Sequence, residues 1–374
     1  MTQEFHTYRE IRQQPRVWRE AYDMVCARKN DISAFLDRFL SAGYEIILTG
    51  AGTSAYIGDA LEPALFDTPL RGARALATTD ILTAPEFYFN KDSKVLLISF
   101  ARSGNSPESV GTVKAVERTA GKVAHIFITC NPEGQLAKTQ GDNILTLLLP
   151  PETNDVSLAM TSSYSTMLLV CGMIAHIDTI EAQGVHINAV ADAVAKAMAR
   201  YEGAIKEIAS RKFTRAVFLG SGPLKGVAEE CRLKLQELTD GAIMCAFDSF
   251  LGFRHGPKAV VKSDSLMVYL VSPKEYIQRY ERDLFRQVTA NNKVTANVVV
   301  CLEKPKDLDP KNCDLLIEFG FPEDTPASFG CVAYVIVGQL LGYFKSIDCG
   351  LCPDTPSISG NISRVVEGVT LYNK

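Results

Sequence analysis

The sequence predicts an α/β protein: two doubly wound parallel sheets in tandem, flanked by helices, with a helical lead-in and a C-terminal tail. Three observations carry this. Short, β-rich apolar runs alternate with helical stretches from residue 44 onward. The strand candidates of the first half recur in the same order in the second. Each half also opens on a strand followed by a glycine pair, Gly50/Gly52 and Gly220/Gly222, offset by 170 positions. Buried parallel strands read as continuous apolar runs, because crossover helices cover both faces of their sheet.

Residues 1–40 read as a helical lead-in; the opening MTQEFHTYREIRQQPRVW is polar and mixed in charge, unlike a signal peptide. Residues 41–185 form the first unit, with strands at 45–50 (EIILTG), 95–100 (VLLISF), 125–130 (HIFITC) and 143–149 (NILTLLL). A linking helix occupies 186–212. Residues 213–350 form the second unit. There, RAVFLGSG (215–222), SLMVYLVS (265–272), NVVVCL (297–302) and DLLIEF (314–319) answer the first four strands. The tail, 351–374, is rich in Cys, Pro, Ser and Gly and ends in the β-like RVVEGVTLY.

Composition bounds the function. The 374 residues allow two to three domains, and 47% apolar residues suffice for ordinary cores. A formal charge of −4 without Lys/Arg clusters argues against nucleic acid and membrane surfaces as partners. The apolar runs 167–177 and 329–344, the second interrupted by Gln339, are short for a membrane span and read as buried helices. Ten cysteines are scattered, and only Cys349 and Cys352 stand as a C-x-x-C pair. Without a second pair or nearby histidines this is no zinc site, so no metal is expected; reduced, mostly buried cysteines suit a cytoplasmic protein.

Two turns past strand ends are rich in hydroxyls: GAGTSA (50–55) and SFARSGNSPES (99–109). Ser106-Pro107 is an ordinary helix start. The same turn also suits an anion, because a helix N-terminus presents free N–H groups and partial positive charge. Arg102 could add a charged fork. GAGTSA also fits G-x-G-x-x-A, the weak form of the dinucleotide fingerprint. The acid a ribose needs about 20 residues on is missing, because Asp67 falls in a loop and Asp80 comes late. One phosphate monoester fits better. LAMTSSYSTML (158–168) offers a third hydroxyl cluster, read either as a helix cap or as part of that site.

GAGTSA, SFARSGNSPES, AMTSSYSTM and the later FRHGP together resemble tandem sugar-isomerase (SIS) domain proteins along nearly the whole chain. The sequence is similar to the isomerase half of glucosamine-6-phosphate synthase, and more so to the bacterial galactosamine-6-phosphate deaminase/isomerase group. The resemblance implies phosphate binding by Ser54, Ser103 and Ser106, with Arg102 in the same turn and Thr161 in AMTSS. In VAEECRLKLQELTDG (227–241), Glu230, Lys234 and Glu237 share one helix face. Spacing alone would make that a solvated stripe. The resemblance makes Glu237 the proton-shuttling base, with Lys234 one turn before it. It makes His255 a ring-opening group lent by a neighbouring subunit, which implies at least a homodimer. The other histidines match no motif. Glu367 stands where the synthase carries its ring-opening lysine.

The function implied is metal- and cofactor-independent conversion of galactosamine-6-phosphate to tagatose-6-phosphate and ammonia. The synthase's glutamine-hydrolysing domain has no counterpart in this sequence, which favours ammonia release or plain isomerisation. Plain aldose/ketose-6-phosphate isomerisation and fructosamine-6-phosphate deglycation are alternatives of the same fold. A non-catalytic sugar-phosphate sensor and a nucleotide-dependent oxidoreductase are alternatives of other classes.

Overall fold

The computed structural model describes residues 5–291, 293–306, 309–366 and 368–372. Two lead-in helices, α1 (His6–Ala27) and α2 (Lys29–Leu40), precede the first unit. That unit runs β1 (Glu45–Thr49), α3 (Thr53–Ala64), β2 (Arg74–Ala75), α4 (Thr78–Thr83), β3 (Lys94–Ala101), α5 (Pro107–Thr119), β4 (Lys122–Thr129), α6 (Gln135–Lys138), β5 (Ile144–Leu148) and α7 (Ser162–Ala175). The long α8 (Ile180–Ser210) crosses to the second unit, beginning earlier than the sequence suggested. There follow β6 (Arg215–Gly220), α9 (Pro223–Leu238), β7 (Met244–Asp248), α10 (Phe250–Phe253), β8 (Ser265–Leu270), α11 (Glu275–Asn291), β9 (Ala296–Cys301) and β10 (Leu315–Glu318). Two final helices, α12 (Ala327–Gly330) and α13 (Val335–Asp348), complete the unit.

Both sheets are parallel, with five strands each, in the orders β2-β1-β3-β4-β5 and β7-β6-β8-β9-β10. Every strand predicted within the two units is present. Central β3, β8 and β9 are buried on both faces along almost their whole length, which is why their sequences are unbroken apolar runs. The edge strands β2 and β7 were not anticipated. β2 is two residues long, and MCAFD of β7 is partly exposed throughout. Neither leaves a period to read.

One apolar core runs through both units. Within it α9 is clamped between α3 and α13 by backbone approaches that only glycine permits. A Cβ on Gly226 would lie 2.3 Å from Ala60 N, and one on Gly338 would lie 2.5 Å from Cys231 Cβ. The apolar run at the C-terminal end extends further than the sequence indicated. Ala327–Asp348 forms 22 helical residues, long and apolar enough to cross a membrane by composition, yet 94% of its most apolar window is buried inside the protein. The described part of the tail contains no strand, contrary to its β-like sequence. Its backbone is tied down by side chains instead: Asp354 caps α1 through Thr7 N (2.8 Å), and Ser359 bonds Asp240.

Candidate active site

Sheet order places the site. In an open parallel sheet ligands bind beyond the strand C-termini where the winding reverses, here between β1 and β3. Helices α3 and α5 start at that crevice. A cavity of about 480 Å³ opens there, walled by the 51–54 turn, the 100–109 turn, Leu158 and Met160, the last turn of α9, and tail residues 360–366.

The turn after β1 is compressed by glycine. Gly52 has φ +53°, and a Cβ at Gly50 would strike the Ser54 backbone at 2.5 Å, so Thr53 and Ser54 start α3 hard against the strand. In the second turn Gly104 has φ +62°. Ser106 caps α5, its Oγ accepting from Ser109 N (3.2 Å) and donating to Ser109 Oγ (2.8 Å). Ser103 Oγ accepts from Asn105 N at 3.3 Å. Ser54, Ser103 and Ser106 therefore line one cavity beside two helix N-termini, an arrangement suited to an anion.

Arg102 also lines the cavity, but both of its terminal nitrogens already donate within the chain. The guanidinium bonds the carbonyls of Ser157 (3.4 Å), Leu158 (3.2 Å) and Arg364. It braces the wall and the tail rather than offering the free fork anticipated from sequence, and burial lowers its pKa. Arg364 reciprocates, donating through Nε (3.0 Å) and its terminal guanidinium nitrogen (2.6 Å) to Asp155 O.

Thr161 lies outside the cavity lining. Its N–H and hydroxyl go to Asp155, at 2.8 and 3.2 Å, and the same carboxylate takes the N–H and hydroxyl groups of Ser162 and Ser163. The hydroxyl cluster is a helix start capped by an internal carboxylate, so the capping reading of AMTSS holds and the phosphate reading of Thr161 does not. The signal that could have shown this is Asp155 itself, six residues upstream.

The charged face of α9 is no solvated stripe: Glu230 and Lys234 are fully buried, while Glu237 reaches the cavity with 22% of its side chain exposed. Lys234 Nζ donates to Glu237 Oε2 at 2.6 Å and to Thr53 Oγ1 at 3.1 Å, and lies 3.3 Å from Glu230 Oε1. Burial pushes the Glu230 carboxyl up to about 8, with Lys234 opposing. Lys234 is thus an ammonium whose shortest carboxylate contact is Glu237. Burial works against its charge and the neighbouring carboxylates outweigh it.

His255 is exposed in the turn after α10 and does not line this cavity; among the described residues that do, there is no histidine. Glu367 falls outside the described residues. Thr53, Glu108 and the tail residues Asn361, Ser363 and Arg364 line the cavity without having been singled out; in the tail the only signal was an unusual density of small polar residues.

Comparison with known proteins places the chain in a family. A family model described as the SIS domain matches residues 39–177. The D-galactosamine-6-phosphate deaminase AgaS of Escherichia coli is 37% identical over 372 residues, covering 98% of this chain and 95% of that protein. The crystal structure of tagatose-6-phosphate ketose/aldose isomerase from Escherichia coli has a TM-score of 0.89 at 34% identity, covering 99% of this chain and 97% of that one. The isomerizing glutamine–fructose-6-phosphate aminotransferase of Pyrobaculum aerophilum is 26% identical over 342 residues, 87% of this chain and 52% of that protein. The chain belongs to the SIS-domain family that contains the two Escherichia coli enzymes, with the aminotransferases as more distant relatives.

Proposed function

We propose that the protein is an amino-sugar phosphate deaminase/isomerase that converts galactosamine-6-phosphate to tagatose-6-phosphate and ammonia. The observation that carries this is the Glu237 carboxylate, held 2.6 Å from a buried ammonium in the cavity that Ser54, Ser103 and Ser106 line. The 37% identity to the Escherichia coli deaminase supports the choice of substrate.

The sugar phosphate docks on the three serines and the starts of α3 and α5, which fixes C1 and C2 against Glu237. The ring opens to the aldehyde. Glu237 takes the C2 proton, leaving an enolamine, and returns it at C1 to give a ketimine at C2. Water adds to the ketimine, ammonia leaves, and the ketose phosphate remains. A carboxylate suits a shuttle between adjacent carbons, a role typically worth ~100- to 10,000-fold. Lys234 fixes the orientation of the Glu237 carboxylate for the transfer.

His255 serves ring opening from a second copy of the chain, which makes the working unit a homodimer. Its exposure and its distance from its own chain's cavity lining support that reading. Free cysteines, two of them exposed, fit a reducing cytoplasmic setting.

The test is an end-point assay of ammonia and ketose phosphate with galactosamine-6-phosphate, glucosamine-6-phosphate and free galactosamine, with Glu237→Gln as control. Ammonia from galactosamine-6-phosphate, lost in the variant, is the expected result. Ketose phosphate from an aldose phosphate without ammonia from any amino sugar would favour the isomerase reading, which the isomerase structural relative supports. Binding without turnover would make the protein a sensor.

A further inference from the structure

The two sheets share one strand order, so the winding reversal that creates the crevice between β1 and β3 recurs between β6 and β8. A second cavity lies there, again of about 480 Å³ and well inside the roughly 300–1,000 Å³ usual for small-molecule sites. Hydroxyls converge on it from three loops, through Ser221 after β6, Ser272 after β8, and Thr325 before α12. Its walls are apolar and partly aromatic, with Phe66, Leu302, Phe321 and Tyr334.

Unlike the first crevice, where two arginines match two glutamates, its lining is predominantly acidic. The carboxylates of Asp67, Glu323 and Asp324 face a single lysine, Lys274. His176, also in the lining, is shifted toward its neutral form by burial and by His186. Behind the serines sits a further carboxyl, Glu281, 1% exposed. It accepts from Ser272 N at 3.0 Å and is also hydrogen-bonded by the Ser221 side chain. Helix α9 offers little to an anion at this end. Its first residue, Pro223, lacks the N–H that Thr53 carries at the corresponding start of α3.

Helix α3 connects the two crevices. Its N-terminus, where partial positive charge favours a phosphate, carries Ser54 in the first. Its C-terminal end, with partial negative charge, leads into Pro63, Phe66 and Asp67 at the second, where a cation is favoured.

We propose that the second crevice binds a small polyhydroxylated cation, an unphosphorylated amino sugar. The ammonium pairs with the rim carboxylates, the hydroxyls bond Ser221, Ser272 and Thr325, and the apolar face of the ring lies on Phe321 and Phe66. Since Phe66 and Asp67 belong to the first unit and the other groups to the second, the occupant bridges the two halves.

Calorimetric titration of the full chain tests this with galactosamine, N-acetylgalactosamine and inorganic phosphate as probes. Galactosamine is expected to bind saturably, one per chain, and to bind unchanged in a Ser103→Ala/Ser106→Ala variant. Glu323→Gln combined with Asp324→Asn, both exposed rim positions, should weaken it about tenfold or more, as should replacing the ammonium by the N-acetyl group. The proposal is overturned by absence of saturable galactosamine binding. It is equally overturned if binding disappears in the serine variant instead, or if N-acetylgalactosamine or phosphate binds as well. The outcome is independent of whether galactosamine-6-phosphate is turned over.

Discussion

Lys234 Nζ and Thr53 Oγ1, 181 positions apart in sequence, are joined by a 3.1 Å hydrogen bond inside the core. The bond ties the first residue of the phosphate-side helix α3 to the ammonium that holds Glu237. In the mechanism proposed, phosphate seating and base orientation form one mechanical unit, made possible by the close α3–α9 crossing at Gly226.

Thr53→Val keeps the shape and removes the acceptor. It should lower kcat about three- to tenfold, the worth of ~1 kcal/mol, with a smaller change in KM, and Thr53→Ser should restore most of it. Steady-state kinetics of the three proteins decide this; equal losses in the valine and serine variants would mean that the bond does not matter.

The Asp155 cap predicts a stability effect without a binding effect. Asp155→Asn should cost about 3 kcal/mol or more in denaturant unfolding, since it loses an ionised acceptor for six donors. Thr161→Ala should cost ~1 kcal/mol and leave KM for sugar phosphate unchanged. A large KM increase in Thr161→Ala with stability intact would return this residue to the phosphate site.

Arg364→Ala releases the tail from Asp155 O and Asn154 Oδ1. Limited proteolysis should then cut the segment after residue 354 faster. KM should rise on the order of tenfold, because the tail residues wall the cavity that positions the substrate. Unaltered cleavage and kinetics would show that Arg102 alone suffices to hold it.

The buried Glu281 carboxyl, pushed up to about 7 by burial, makes stability pH-dependent. The folded protein keeps a proton that the unfolded chain releases above its ordinary value near 4.5. The contribution of this group to stability therefore falls as pH rises from about 4.5 to about 7, and is constant above. Glu281→Gln cannot ionise, so relative to wild type it should gain stability between pH 5 and pH 8. Parallel urea titrations at the two values check this; a pH-independent difference would rule out the assignment.

The strands were legible because residues buried on both faces of a parallel sheet must be apolar at every position, as in KVLLISFA. The hydroxyl turns GAGTS and ARSGNS were legible for a related reason. A turn at a strand end that needs positive φ and donors admits few residue types, as at Gly52 and Gly104. Thr161 was misread because a cap and an anion site use the same groups, and only the carboxylate of Asp155, folded back onto the helix start, separates them. That the terminal nitrogens of Arg102 are engaged was not legible, because the carbonyls that take them come from segments 55–56 and 262 residues away.

What the sequence by itself determined is the pattern of local necessities: strands, helix starts, and the repeat that dictates two sheets of one order. Tertiary structure alone decided which charges are buried. Glu230, Lys234 and Glu237 occupy one helix face in any solvated helix. They become a buried ammonium between two carboxyls only because α3 and α13 close over them, and burial, not spacing, raises the Glu230 pKa. The same holds for the two crevices. The repeat prescribes both, while long-range packing makes one rich in donors and gives the other a carboxylate rim.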